Sequence, residues 1–301
     1  MRSDARGPWL VFLAVALVLL DVVPLALWGV LVPAAALLLA VALGPRGSPL
    51  REWTGPRTDR RDLWWIAGLY LAVVALFRLA FVGFGTDAVA GLFLSFAAGL
   101  LVGVVGPIAY TVWMRGRALA DLGLSLHRLR GTLAIGAVLA AIQFAMTLWG
   151  YDLPAPVDWV PLLVMSVVVG FFEAVFFRGF VQGRLEASLG AVPGIGGAAL
   201  LYAAYHVGYG MGAREMVFLF GLGVVYAIAY ALVRNVLVLW PLLTPLGAFF
   251  NNLEAGDIEL PWASIAGFAD VAAVMVAAVW FAHRHERRRR APTIGHPAPV
   301  R

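Results

Sequence analysis

Cysteine and lysine are both absent from the 301 residues. Without thiols the chain forms no disulfide, holds no thiolate-bound metal, offers no cysteine nucleophile and carries no prenylated C-terminus of its own. Without lysine, Schiff-base chemistry and Ser-Lys hydrolysis are excluded. Charge of either sign is scarce as well: 13% of residues are charged and 62% are hydrophobic, against roughly one charged residue in four for soluble domains. No soluble core hides that much apolar surface, so the composition predicts an integral membrane protein. Signatures of other hydrolytic sites are also missing, since no His-Glu-x-x-His, Gly-x-Gly-Asp or Gly-x-Ser-x-Gly occurs.

What is present is a succession of apolar runs. Reading for stretches of about 17–25 residues places ten spans near 8–20, 22–43, 63–84, 88–114, 131–150, 159–178, 195–209, 216–233, 236–252 and 262–283. The first follows Arg2 and Arg6 in the manner of a signal peptide, but no small-x-small cleavage site follows it. It is read with the second as an uncleaved hairpin. The expected fold class is an all-α polytopic membrane protein of about ten helices.

Arginine supplies the orientation, because basic residues are retained on the cytoplasmic side. Alternate connections hold Arg2 and Arg6; Arg46, Arg51, Arg57, Arg60 and Arg61; Arg115, Arg117, Arg128 and Arg130; Arg184; Arg234; and Arg284 with Arg287–Arg290. Only Arg78 and Arg214 fall near the other side, where Asp21, Asp87, Asp152, Asp158, Glu215, Glu254, Asp257 and Glu259 collect. Both termini are therefore expected in the cytoplasm of a cell-membrane protein. Arginines divided among short loops serve topology, so nucleic acid is not an expected partner. The tail can touch anionic lipid, at about 1 kcal/mol per basic residue.

Ionisable groups within hydrocarbon demand a partner, a cavity or a function. They are Glu173, Arg178, His206 and Asp270, with Arg78 near a boundary. With the inner edge near Arg184 and a rise of ~1.5 Å per residue, Glu173 lies roughly 16 Å deep and His206, on the next antiparallel helix, roughly 18 Å deep. A carboxylate and an imidazole at matching depth can share a water, the first accepting its proton and the second donating to the oxyanion of an attacked carbonyl. That arrangement suits hydrolysis of a peptide bond inside the membrane. Arg178, about 140° around an α-helix from Glu173, is awkward for a direct pair and is read as snorkelling to the headgroups. Asp270 reads as a paired structural charge and Arg78 as paired or snorkelling. Tyr202, Tyr205, Tyr209, Tyr226 and Tyr230 read as amphipathic packing, with Tyr202 and Tyr205 neighbouring His206. Small residues around Gly194, Gly196 and Gly197 read as helix packing.

The residues from Glu173 onward resemble a known family, the CPBP intramembrane proteases, also called Abi, CAAX prenyl protease 2-like or lysostaphin resistance protein A-like. The first family motif is Glu-Glu-x-x-x-Arg, usually followed by Gly. Glu173-Ala174-Val175-Phe176-Phe177-Arg178-Gly179 matches it except at Ala174. The second, an aromatic residue four before a His, is similar to Tyr202-Ala203-Ala204-Tyr205-His206. The third, His-x-x-x-Asn on a helix introduced by Trp-Pro, has its opening in Leu239-Trp240-Pro241 but no His, and Asn251 and Asn252 fall too late. The resemblance implies an endopeptidase acting on a membrane-associated protein or peptide, in a CAAX-processing-like or bacteriocin-related setting. Glu173 and His206 are its implied catalytic residues, with Arg178 and Tyr202 in support. Zinc dependence and glutamate dependence have both been attached to the family. Glu173 and His206 would be the zinc ligands, and a catalytic zinc takes three protein ligands, so zinc is weakly supported.

The expected organisation is a transmembrane hairpin over 1–43, a basic linker over 44–62, accessory helices over 63–150, a CPBP-like core over 159–260, a last span over 261–283 and a basic tail over 284–301. Two rivals accompany the protease: a catalytically impaired scaffold or immunity protein on the same fold, and a proton-coupled small-solute transporter using Glu173 and Asp270. No paired broken helices of the transporter kind are evident in the sequence.

Overall fold

The computed structural model describes residues 58–85, 88–126, 129–149, 155–244 and 262–290, with four isolated positions between 34 and 42. Apart from those positions, the expected hairpin 1–43 and most of the linker 44–62 lie outside the described residues. So do Asp152, Asn251, Asn252 and the tail beyond residue 290.

All regular structure among the described residues is helical. Helix α1 (Arg60–Phe84) is opened by a reciprocal capping box: the Asp59 carboxylate accepts from the Asp62 amide at 3.0 Å and the Asp62 carboxylate accepts from the Asp59 amide at 3.1 Å. That amide bond, with Arg115 adding to it, holds the Asp59 carboxyl below the usual carboxylate range. Helix α2 (Val89–Met114) follows, then a 3-10 turn (Leu119–Leu122) and α3 (Leu129–Thr147). Helix α4 is continuous in three pieces, α-helical over Pro156–Glu173, π-helical over Ala174–Gln182 and α-helical over Gly183–Leu189. Gly190, at φ +91°, reverses the chain into α5 (Ala191–Tyr205), which ends in a 3-10 turn (His206–Tyr209). Helices α6 (Ala213–Val233), α7 (Val236–Thr244) and α8 (Ser264–Arg290) complete the described chain.

Five helices are long and apolar enough to cross a membrane: α1, α2, Trp159–Leu189 of α4, α6 and Ser264–Arg289 of α8. The expected ten are thus not reached among the described residues. The first two lie outside them, α3 and α5 are shorter, and α7 is described only to Thr244. Burial sorts the five. The apolar windows of α4 and α6 are two-thirds buried in protein, those of α1, α2 and α8 about one-fifth. The outer helices turn Trp64, Leu71, Phe93 and Phe281 outward, and side chains of that kind are stable facing outward only against lipid. The chain is a multi-pass membrane protein.

The centre of the bundle is the α4/α5 hairpin with α6 against it. Gly194 permits the hairpin to close, because a Cβ there would lie 2.6 Å from the Glu186 backbone. Gly179, next to Arg178, lets the 3-10 turn cross α4, since a Cβ would meet the Leu122 carbonyl oxygen at 2.2 Å. On that turn, desolvation pushes the half-buried Asp121 carboxyl up.

The arginines of separate connections gather at one end of the bundle. Asp62, with no exposed surface, accepts from Tyr110 at 2.7 Å and Arg117 at 3.1 Å, with Arg115 and Arg184 each at 3.8 Å. Glu186 pairs with Arg234 at 2.6 Å and Arg184 donates to the Thr111 hydroxyl at 2.6 Å. Glu286 of α8 accepts from the Leu119 amide at 3.2 Å. Arg78 stands at the opposite end, donating to the Val207 carbonyl at 3.1 Å.

Candidate functional site

Glu173 ends the first α-helical piece of α4, and His206 opens the 3-10 turn of α5. One stands as far before the Gly190 reversal as the other stands after it, within one residue, so the hairpin brings them to one level. Both are buried, Glu173 at 5% and His206 at 7% exposure. The depth match expected from the sequence is a property of this hairpin.

Two tyrosines of α5 join them. Tyr202 and Tyr205, three apart on a helix, share a face. Tyr205 donates a short hydrogen bond to one Glu173 oxygen and Tyr202 donates to the other at 3.4 Å. His206 Nδ1 lies 2.9 Å from the Tyr202 carbonyl. A carbonyl only accepts, so Nδ1 carries a proton and Nε2 is the ring nitrogen left for other partners. A bare Nε2 can hold a water by one of that water's protons, and a protonated one can donate. The Tyr205 ring centroid is 4.1 Å from that of His206, and Phe77 of α1 closes the cage at 4.8 Å from Tyr209.

Arg178 overturns its expected placement. It does not snorkel: it is 1% exposed, with its guanidinium carbon 4.9 Å from the Tyr202 ring centroid. The reason is local geometry. The 140° separation presumes α-helical turns, whereas residues 174–182 are π-helical, and i→i+5 bonding brings residues five apart onto one face. Arg178 and Glu173 are in electrostatic reach of each other. Neither terminal guanidinium nitrogen has a hydrogen-bond partner among the described residues.

The remaining positions fall elsewhere. Ala174, where the family pattern has its second Glu, is fully buried in the apolar core. Trp240 of α7 donates to the Val167 carbonyl of α4 at 2.7 Å and meets Phe171 edge-on at 5.1 Å, so the Trp-Pro helix packs beside the approach to Glu173. Asp270 is exposed on α8, and no ion pair to it occurs among the described residues; the expectation of a paired charge is not met.

Fit to a zinc ion can be judged from the donors. Glu173 and Nε2 of His206 supply two candidate ligands, with Nδ1 of His206 held by the Tyr202 carbonyl. Among the described residues no cluster of three or more His, Cys, Asp or Glu could hold a metal. Two ligands do not make the three-ligand set of a catalytic zinc, and no step below passes through one.

Sequence reasoning did not identify Tyr205 as a partner of Glu173, though the Tyr202/Tyr205 spacing beside His206 carried the signal. Nor did it foresee Gln182, whose amide donates to Glu186 and to the Ala227 carbonyl, both at 2.6 Å; nothing in the linear pattern marks that contact.

Residues 155–242 match the family model described as Type II CAAX prenyl endopeptidase Rce1-like. The match takes in Glu173, Arg178, Tyr202, Tyr205 and His206, and the resemblance to the CPBP proteases is shown for this stretch. No curated protein and no solved structure matches the chain.

Proposed function

We propose that this multi-pass membrane protein, whose residues 155–242 are of the type II CAAX prenyl endopeptidase Rce1-like kind, is an intramembrane endopeptidase in which Glu173 activates water. The observation that carries the reading is a buried carboxylate supplied with two hydroxyl donors by the helix that holds His206. The two hydroxyls orient the carboxylate, and each oxygen keeps a lone pair for a water proton. The water donates one proton towards Glu173 and the other towards Nε2 of His206, leaving its oxygen lone pair aimed at a carbonyl carbon. Glu173 then returns its proton to the departing amine. The substrate is a membrane-associated protein or peptide whose scissile bond enters between α4 and α5. We place the protein in the cell membrane with the arginine-rich end, and both termini, in the cytoplasm.

The test is cleavage of a membrane-peptide library by the purified protein in liposomes, read by mass spectrometry. Wild type is expected to cut, and Glu173→Gln to lower the rate by a factor of about 10²–10⁴, the range of general-base catalysis. Undiminished cleavage by Glu173→Gln sinks the mechanism.

One observation favours a second reading, a catalytically impaired scaffold or immunity protein. Ala174 is an apolar core residue, and the helix introduced by Trp240-Pro241 brings no His. A complementation phenotype surviving both Glu173→Gln and His206→Ala selects that reading. A transporter has less support, because Asp270 is exposed on α8 rather than gathered with Glu173.

A further inference from the structure

Hydrolysis places negative charge on the attacked carbonyl oxygen, and a buried site needs a donor aimed at it. Several donors around Glu173 are already engaged. The Tyr205 and Tyr202 hydroxyls are given to the Glu173 carboxylate. The Nδ1 proton of His206 is given to the Tyr202 carbonyl. The described part of the Trp-Pro helix offers no His, and Asn235 before it accepts from the Leu237 amide at 3.0 Å through its side-chain oxygen. The Arg178 guanidinium stands apart from these groups, with both terminal nitrogens lacking a hydrogen-bond partner among the described residues.

A guanidinium at 1% exposure whose terminal nitrogens make no hydrogen bond among the described residues is a costly arrangement even with Glu173 in electrostatic reach, since buried N–H donors without acceptors are unfavourable. The surrounding structure nevertheless fixes it, with the Tyr202 ring on one side and the π-helical turns carrying it towards the face of Glu173. π-Helical turns recur at functional sites because they aim side chains that an α-helix would point away.

We propose that Arg178 is the oxyanion-binding group of this site. The inference rests on the protease reading above. In the reaction, the water oxygen bonds to the carbonyl carbon, its proton passes to Glu173, and the C=O π pair moves onto the oxygen facing Arg178. Collapse breaks the C–N bond, the amine takes the proton from Glu173, and the products are a carboxylic acid and an amine. The forked geometry of guanidinium can give two parallel N–H bonds to the oxyanion and to a neighbouring acceptor, which a lysine ammonium does not reproduce.

The experiment uses the full-length protein in liposomes, the library peptide that wild type cuts fastest, and the same peptide with a phosphonamidate at the scissile bond. Arg178→Gln is expected to lower kcat about 10²–10³-fold, the range for loss of an oxyanion donor, with KM changed less than about twofold because ground-state binding is retained. It is expected to lose affinity for the phosphonamidate in proportion to kcat while still binding the uncut peptide. Arg178→Lys, which keeps the charge and loses the fork, is expected to fall between the two. Thermal unfolding in detergent reports which variants fold. The proposal is overturned if either folded variant keeps wild-type kcat and phosphonamidate affinity. Failure of both to fold marks the guanidinium as structural and overturns it too. If wild type cuts nothing, the protease reading falls and takes this one with it; if wild type cuts and Arg178→Gln cuts equally well, only this one falls.

Discussion

Tyr205 is the residue on which the proposed site turns most directly. Its hydroxyl donates to Glu173 from within a ring of aromatic side chains, and it has no counterpart in the family pattern quoted for the second motif. A hydrogen bond to a charged group is worth about 1.5–3 kcal/mol. Tyr205→Phe, which keeps the ring and removes only the hydroxyl, is therefore expected to lower kcat about tenfold or more with KM nearly unchanged. Steady-state kinetics on the same library peptide would check it, and an unchanged kcat would leave Tyr205 a packing residue. Glu173 and His206 were legible at this scale because a carboxylate and an imidazole stand out in apolar sequence. Which nitrogen of His206 is left for the site was not: Nδ1 is taken by a backbone carbonyl, and no side-chain pattern announces that. Arg178 was legible as a charge but misplaced, since its direction depends on a helix type that hydrophobic periodicity does not report.

Elements show the same division. The hairpin of α4 and α5 could be anticipated from two apolar runs around Gly190 and from small residues after it, and the close approach at Gly194 matches that reading. A leucine at 194 would be driven into the Glu186 backbone, and forced overpacking costs about 1–3 kcal/mol or more. At Gly196 a Cβ meets nothing within 4 Å, so Gly196→Ala is expected to cost nothing and to stabilise by up to about 1 kcal/mol through helix propensity, whereas Gly194→Ala already meets the Glu186 backbone and destabilises. Unfolding of the two variants in detergent separates a packing glycine from an incidental one; equal losses would contradict the geometry. The π-helical stretch over 174–182 lies beyond such reasoning. It follows from how α4 seats against its neighbours, as at Gly179 and Leu122, and tertiary contact of that kind leaves no local signature.

At the scale of the whole molecule, composition alone indicated the membrane, and the spacing of arginines indicated which connections share a side. The structure gathers Arg115, Arg117, Arg184 and Arg234 at one end, as that alternation requires, and the positive-inside rule assigns that end to the cytoplasm. A cysteine-free chain makes the orientation directly measurable. With single cysteines at the exposed positions Arg61 and Ala213, a membrane-impermeant maleimide added to intact cells is expected to label Ala213→Cys and spare Arg61→Cys. The reverse pattern would invert the proposed topology.

Asp62 gives the arginine-rich end a history as well as a shape. The chain is made from its N-terminus, and the groups that now enclose this carboxylate come later in the sequence, Tyr110 by 48 residues and Arg117 by 55, with Arg184 later still. When α1 is first synthesised, none of these partners exists and Asp62 keeps its place in water. It can be enclosed as it is only once the end of α2 has arrived, because a carboxylate desolvated without its partners is too unfavourable to persist. Sealing of this end therefore comes after α2 is made, and Arg184 at the far end of α4 can join only later still.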